Sequence, residues 1–358
     1  MDQTNAEEES QSASGRRPRK ALITGAAGQD GHYLMQLLAE KGYTVHLQSR
    51  NAIPNDGVPV GAIRHQLDLS ELTALTDLCL EIRPDEIYNL AAVSRPQESW
   101  KRSLDTGLIN AMLPHHLLEM ITRHLPSCRF YQASSSEMFG NTVVSPQDEF
   151  TPFQPQSPYA ITKVYAHQLV NAYRLQHGIF ACSGILFNHD SPRRPLSFVT
   201  QKIAHAAALV ACGIRNSEEI DERGEPILAN GHLLLGNLDV SRDFGYAVDY
   251  VRAMWLMLQQ ETPSDFVIGT GETHTIRNVC EVAFSHVGRN WQNHVVVDPR
   301  LVRHLDTRYT IANPLKAKRV LNWKPSVSFI GLITTMVDAR LKLLAAKGHV
   351  RVEDTPHD

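Results

Sequence analysis

A short apolar run that ends in a glycine turn and passes straight into a helix constrains this chain more than any other feature. Ala21-Leu22-Ile23-Thr24 leads into Gly25-Ala26-Ala27-Gly28-Gln29-Asp30-Gly31. From Gln29 to Lys41, apolar residues recur at Tyr33, Leu34, Leu37 and Leu38, the spacing of one helical face. Tyr43–Leu47 reads as the next strand. Strand, helix and strand within roughly thirty residues make a βαβ unit, which requires a parallel sheet.

The alternation continues. A helix near Leu72–Glu81 precedes a strand at Glu86–Leu90, and a helix near Ile109–His124 precedes a strand at Arg129–Ala133. A long helix near Ser157–His177 precedes a strand at Ala181–Phe187. With a short strand before Asp68, six strands are predicted, in an α/β, Rossmann-type doubly wound sheet. After Asn188 the elements become shorter and mixed, starting with the proline-broken Ser191-Pro192-Arg193-Arg194-Pro195. The predicted division is a disordered tail over 1–18, a nucleotide-binding domain over 19–188, and a 346–358 tail. Residues 189–345 mainly form a smaller mixed α/β domain over the ligand-bearing sheet edge, and the chain is free to cross back. The polar stretch 215–231 reads as a surface excursion or lid, and the Arg16–Lys20 cluster as solvated.

Composition narrows the function. Of 358 residues, 42% are hydrophobic and 20% charged, an ordinary globular balance. A formal charge of −3 gives no general attraction to nucleic acid or to an anionic membrane. No apolar run reaches the length of a membrane span, and no apolar core follows the start as in a secretory signal. The five scattered cysteines are odd in number and include no CxxC, which fits a reducing, cytoplasmic setting. The 17 histidines include no HExxH, so no metal is expected.

Three clusters carry chemistry. Glycines in the first turn let backbone approach a pyrophosphate, and the helix behind them offers donors and partial positive charge. At the end of the second strand stands Ser49-Arg50-Asn51, where an acidic residue would favour NAD. Arg50 suits the 2′-phosphate of NADP, unless it is only an exposed strand-end arginine. Asp68-Leu69 follows another short strand and either flanks the adenine or caps a helix.

Tyr159 and Lys163 lie one helical turn apart. A free tyrosine ionises near pH 10, and serving as a base near pH 7 takes about 4 kcal/mol of phenolate stabilisation. A neighbouring ammonium and an oxidised nicotinamide supply that field. Ser134-Ser135-Ser136-Glu137 ends the fifth strand. A simple dehydrogenase needs no carboxylate there, so Glu137 points to acid–base work at a second carbon, with a turn-capping glutamate as the alternative. Farther along, Arg193, Arg194, Lys202, Arg242 and Arg303 are candidate clamps for a pyrophosphate, though each taken singly reads first as a solvated surface charge.

Together these residues resemble the extended short-chain dehydrogenase/reductase family, and within it the GDP-mannose 4,6-dehydratase branch. The phrases are Ala21–Gly31, Pro84–Ala92, Arg129–Gly140, Ser157–Lys163, Gly184–Arg194, Gly236–Tyr250, Asp265–Gly271 and Lys316–Pro325. The resemblance implies NADP held by Gly25, Ala26, Ala27, Gly28, Gln29, Asp30, Gly31, Arg50, Asp68 and Leu69. It adds Leu90, Ala91, Ala92, Val93, Ser94, Lys163, His189 and Arg194 to the same set. It implies catalysis by Ser135, Glu137, Tyr159 and Lys163, with a serine at 135 in place of the branch's threonine. It implies a sugar nucleotide held by Ser94, Ser135, Glu137, Tyr159, Asn188, Lys202, Arg242 and Arg303. The expected reaction converts GDP-mannose to GDP-4-keto-6-deoxy-mannose by oxidation at C4, loss of water across C5–C6 and hydride return to C6. A homodimer or homotetramer is expected. The alternatives are a GDP-keto-deoxy-sugar reductase or epimerase, a dehydratase of another GDP-sugar such as GDP-manno-heptose, and a catalytically silent nucleotide sensor.

Overall fold

The computed structural model describes residues 17–221, 223–302 and 309–348. Its first half alternates as the hydrophobic pattern requires: β1 (Lys20–Thr24), α1 (Gln29–Glu40), β2 (Thr44–Ser49), β3 (Ile63–Gln66), α2 (Leu72–Ile82) and β4 (Glu86–Asn89). Two short helices follow, α3 (Pro96–Lys101) and α4 (Ser103–Gly107), then a π-turn over Leu108–Met112 that leads into α5 (Leu113–His124). Next come β5 (Arg129–Ser135), a 3-10 turn over Ser136–Phe139, α6 (Pro158–His177), β6 (Ala181–Leu186) and β7 (Asn188–Asp190). The second half contributes α7 (Val199–Ala211), β8 (Leu233–Leu235), β9 (Ser241–Arg242), β10 (Phe244–Tyr246), α8 (Ala247–Leu258) and β11 (Phe266–Ile268). It ends with β12 (His274–Thr275), α9 (Ile276–His286), β13 (Val295–Val297), α10 (Leu315–Val320) and α11 (Phe329–Ala346).

The main sheet runs β3-β2-β1-β4-β5-β6-β11, with every neighbouring pair parallel. Strand order reverses between β1 and β4, and that split opens a crevice at the carboxyl ends. The sheet has seven strands where six were predicted. The seventh is β11, from well beyond residue 188. It is three residues long and fully buried, so it lacks the alternation that marks a strand in sequence. The helix α8 returns with it. Tyr250, Met254 and Met257 pack beside Leu34, Leu38, Val45 and Trp323 on one face of the sheet. Leu117, Ile121, Phe130 and Val170 fill the other face. The predicted helix 109–124 is broken at its start, and 96–107 was not anticipated as helical. The reason is that Trp100 and Leu104 face outward, so no inward apolar stripe announces those turns.

Helices α7, α9 and α11 pack around a separate apolar cluster that includes Ile203, Ala207, Val279, Phe284, Ile333 and Met336. The stretch 215–231 is no free lid. Ile227 and Leu228 are buried in that cluster, and Glu219 pairs with His205 at 3.1 Å and with Lys347 at 3.0 Å. Arg17 and Arg19 of the basic cluster are not simply solvated, since they pair with Asp85 and Glu86 beside β1. Residues 1–16 of the predicted tail and 349–358 lie outside the described residues, as does Arg303; Ala346 still belongs to α11.

One buried carboxylate bolts the second half to the sheet. Asp243 accepts hydrogen bonds from Thr270 N, Thr270 Oγ1, Gly271 N and Ala312 N at 2.7–3.2 Å. It thereby joins three chain segments that are distant in sequence. Asp243→Ala strands these donors, and each buried orphan costs about 1–3 kcal/mol. The expected outcome is a loss of about 3 kcal/mol or more, read as a lower urea midpoint.

Candidate active site

The turn after β1 is shaped for close approach. Gly25 has φ +66°, and a Cβ there would lie 2.7 Å from the Cα of Ala91. A Cβ on Gly31 would lie 2.5 Å from the carbonyl of Ala26. Both positions therefore exclude any side chain, and the turn stays pressed between the β4 exit and α1. Helix α1 starts at Gly28 with no side-chain cap, so its first donors remain available to a phosphate. Ala26 N donates to the Gln48 carbonyl at 2.9 Å, and Gly25 N to Gln48 Oε1 at 3.1 Å. Thr24 Oγ1, Asn89 and Gln132 continue a buried hydrogen-bond row across the neighbouring strand ends. A dinucleotide fits this cradle: bare backbone, an uncapped helix start and no competing side chain.

The residues expected to border it are disposed as follows. Arg50 is exposed at the end of β2 and makes no ion pair among the described residues. The Asp68 carboxylate is engaged by the backbone and hydroxyl of Ser70, which holds it below the usual carboxylate range, and Leu69 is buried. The loop Leu90-Ala91-Ala92-Val93-Ser94 leaves β4 above the cradle, with Ser94 exposed. Asn110 pins it: its side chain accepts from Val93 N at 2.9 Å and donates to Val93 O at 3.1 Å. Asn110 was not anticipated, because a polar residue inside an apolar helical run carries no mark of the loop that it will meet.

The catalytic candidates converge at the ends of β5 and α6. Ser135 is the last strand residue, and its Oγ accepts from Glu137 N at 3.2 Å. That N-cap starts the 3-10 turn and holds Glu137 half-buried at the sheet edge. Tyr159 and Lys163 are both buried on the first turns of α6. Lys163 Nζ donates to the Ala133 carbonyl at 2.8 Å and sits 5.8 Å from the Tyr159 ring centre. Burial pushes the Tyr159 phenol up to about 12, opposed by the Ser135 hydroxyl and the Arg194 charge. Burial also brings Lys163 down to about 8. Among the described residues no cluster of His, Cys, Asp and Glu is placed to hold a metal ion.

Gln29 and Asp30 turn their side chains away from the cradle and onto the chain after β6. Gln29 Nε2 donates to the His189 carbonyl at 3.1 Å, and Ser191 Oγ donates to Gln29 Oε1 at 2.8 Å. His189 Nδ1 donates to the Phe187 carbonyl at 2.7 Å, and Nε2 faces Asp30 Oδ2 at 2.9 Å. Both ring nitrogens thus face acceptors, so the imidazolium is favoured. Burial opposes the charge, but Asp30 raises the His189 pKa, while His189 lowers that of Asp30. The ring also stacks on Tyr250 at 4.5 Å. Arg194 pairs with Asp190 at 2.8 Å and lies over Phe198 at 3.6 Å. The Gln29 and Asp30 side chains clasp the glycine turn to the 187–194 segment.

Asn188 pairs in register with Phe244, two residues beyond the buried Arg242, whose guanidinium donates to the Ser241 carbonyl. Lys202 is half-buried on α7, its N–H bonded to the carbonyl of Phe198.

The clasp has a pH signature. Asp30 stabilises the folded state above its ordinary pKa near 4, and that stability is lost as pH falls through its lower folded value. His189 contributes fully below 6.5, and its share is lost as pH rises through its higher folded value. In the Asp30→Asn variant the ring keeps its burial and its Arg194 neighbour but loses the anion. The His189 midpoint in an NMR titration is expected above 6.5 in the parent and below it in Asp30→Asn.

The family model for "GDP-mannose 4,6 dehydratase" matches residues 22–336. The chain is 42% identical to GDP-mannose 4,6 dehydratase 1 of Arabidopsis thaliana, covering 95% of this chain and 96% of that one. It is 39% identical to the Homo sapiens GDP-mannose 4,6 dehydratase, over 92% and 93% of the two chains. With the Vibrio cholerae enzyme of that name the identity is 37%, over 95% and 98%. Among solved structures, UDP-glucose 4-epimerase of Thermotoga maritima superposes with a TM-score of 0.79 at 23% identity, over 91% of this chain and 99% of that one. The dTDP-glucose 4,6-dehydratase of Bacillus anthracis gives 0.76 at 18%, over 90% and 97%. The structural likenesses share the doubly wound fold, and the sequence relatives narrow it: the chain belongs to the GDP-mannose 4,6-dehydratase family.

Proposed function

We propose that this chain is an NADP-dependent lyase that converts GDP-mannose to GDP-4-keto-6-deoxy-mannose and keeps its cofactor through each cycle. One observation carries the reading: Glu137 stands with Ser135 and Tyr159 at one strand end, close enough for its charge to act on the phenol. A redox-only site has no use for that carboxylate. The sequence relatives, all named for this activity, support the substrate. Arg50, exposed at the end of β2 and with its charge felt by Asp68, supports a 2′-phosphate and hence NADP.

Gly25–Gly31, Arg50, Asp68-Leu69, Leu90–Ser94, Lys163, His189 and Arg194 would hold the cofactor. The nicotinamide would supply a reversible two-electron exchange and, in its oxidised form, positive charge to the site. Lys163 and Arg194 add to that field, which favours phenolate against burial. Tyr159 takes the proton of the sugar 4-hydroxyl as C4 becomes a ketone. The ketone acidifies C5–H, and Glu137 removes that proton. The 6-hydroxyl leaves as water, protonated by Glu137 with help from Ser135, and C5 is reprotonated when C6 is reduced. Atoms balance with the loss of one water and no net redox change. Asn188, Lys202, Arg242 and Arg303 would hold the nucleotide diphosphate. The unbridged cysteines, buried except for the half-buried Cys212, fit a reducing cytoplasm.

A homodimer is the assembly we favour. Trp100, Leu104, Leu108 and Met112 recur every four residues and are exposed, Leu104 at 84% and Trp100 at 63%. Ile161 and Tyr165 extend the patch onto α6, which packs against these turns. An apolar stripe of this kind on a chain of ordinary surface polarity suits a second copy of itself.

Mass spectrometry of the nucleotide sugar after incubation with NADP⁺ and GDP-mannose tests the chemistry. The expected result is loss of one water with no accumulation of reduced cofactor. Glu137→Gln is expected to keep NADP binding and to lower water loss by at least about 10³-fold, within the scale of a lost general base. Tyr159→Phe should stop earlier, with no reduced cofactor in a single turnover; near-parental turnover of either variant removes the assigned role. Leu104→Glu combined with Leu108→Glu is expected to give a monomer by light scattering at concentrations where the parent is dimeric.

A further inference from the structure

We propose that Ser99 is a positioning residue for the catalytic tyrosine, tying the first turn of α6 to the loop that leaves β4. This rests on the assignment of Tyr159 as the base.

The argument is an accounting of the donors at the start of α6. Pro158 has no N–H to satisfy. Ala160 N donates to the side chain of the N-cap Ser157 at 3.1 Å, and Ile161 N to the Ser157 carbonyl at 2.9 Å. Tyr159 N is left, buried and without a local partner. It donates to Ser99 Oγ at 3.1 Å, from a residue sixty positions earlier in the chain. Ser99 is 0% exposed, so no water replaces it. A serine hydroxyl has one proton, and that proton goes to the Pro96 carbonyl at 2.6 Å. The lone pairs of Oγ can therefore only accept, and they are aimed at the Tyr159 backbone. The hydroxyl is polarised by one bond and fixed by both.

The placement matters because α3, which carries Ser99, begins two residues after Ser94, the end of the loop Leu90–Ser94. Asn110 anchors that loop at Val93, and Ser99 anchors the segment behind it to Tyr159. The same short stretch thus borders the cradle and sets the first turn of α6, which carries the base, against Ser135 on β5. An ångström of drift in a catalytic group can cost about 10²-fold in rate.

The test uses the full chain with GDP-mannose and NADP⁺, comparing the parent with Ser99→Ala, Ser99→Cys and Ser99→Thr. Cysteine fills the space with a weak acceptor, and threonine retains the hydroxyl. In folded Ala and Cys variants, kcat is expected to fall about 10- to 100-fold, with KM within about twofold of the parent. The limb of the kcat–pH profile that rises with tyrosine ionisation should move to higher pH, since a displaced phenol loses the Ser135 hydrogen bond. Thr should recover most of the rate. A purely structural role would lower thermal stability and leave the pH profile in place. Parental kcat and pH profile in either folded variant overturns the proposal, and so does failure of both Ala and Cys to fold. If the parent itself does not dehydrate GDP-mannose, or Tyr159→Phe retains turnover, the underlying functional reading fails instead.

Discussion

The left-handed turn at Gly25 is the constraint on which the site depends. It brings backbone against backbone at Ala91, where a side chain has no room. That contact presses the turn after β1 against the β4 exit just ahead of α1. Everything catalytic is then placed relative to that turn, by the parallel sheet on one side and by the clasp at Gln29 and Asp30 on the other. A parallel sheet delivers all of its carboxyl ends to one edge, so Gly25, Ala91, Ser135 and Phe187 meet although they span most of the first half of the chain.

Charge in this site is held by geometry. Tyr159 and Lys163 are buried, and burial works against both of their ionised forms. What offsets it is local: the Ser135 hydroxyl, Arg194 and the carbonyl of Ala133. The His189–Asp30 pair applies the same logic with opposite charges, where mutual attraction overcomes the cost of burying each. A site assembled this way is poised to change when one more charge enters it. A base that should ionise only with its partners bound needs that property.

Much of this was legible beforehand because it rests on short-range pattern. The βαβ rhythm follows from periodicity, the phosphate turn from its glycines, and the Tyr159–Lys163 pair from a helical turn. Glu137 could be singled out because a carboxylate in that position is chemically surplus to simple oxidation. Other features left no trace. Strand β11 is three buried residues with no alternation, and the short helices over 96–107 carry their apolar residues outward. Asn110 and Ser99 look like ordinary polar residues until the β4 exit loop and α6 are brought beside them. The 215–231 stretch reads as surface because its charges outnumber Ile227 and Leu228, yet those two residues decide that it packs.

The sequence by itself determined the doubly wound sheet, the glycine turn and which side chains are candidates for the chemistry. Each of these is encoded within a few residues, by periodicity, backbone freedom or functional-group chemistry. Only the tertiary structure decided that the chain returns to complete the sheet, that Asp243 ties the segment before β10 to the turn after β11 and to Ala312, and that Gln29 and Asp30 grip the 187–194 segment. Those are pairings between groups as many as 162 positions apart. No local pattern specifies them, because the partner of a buried donor is whichever acceptor the packed fold places within reach.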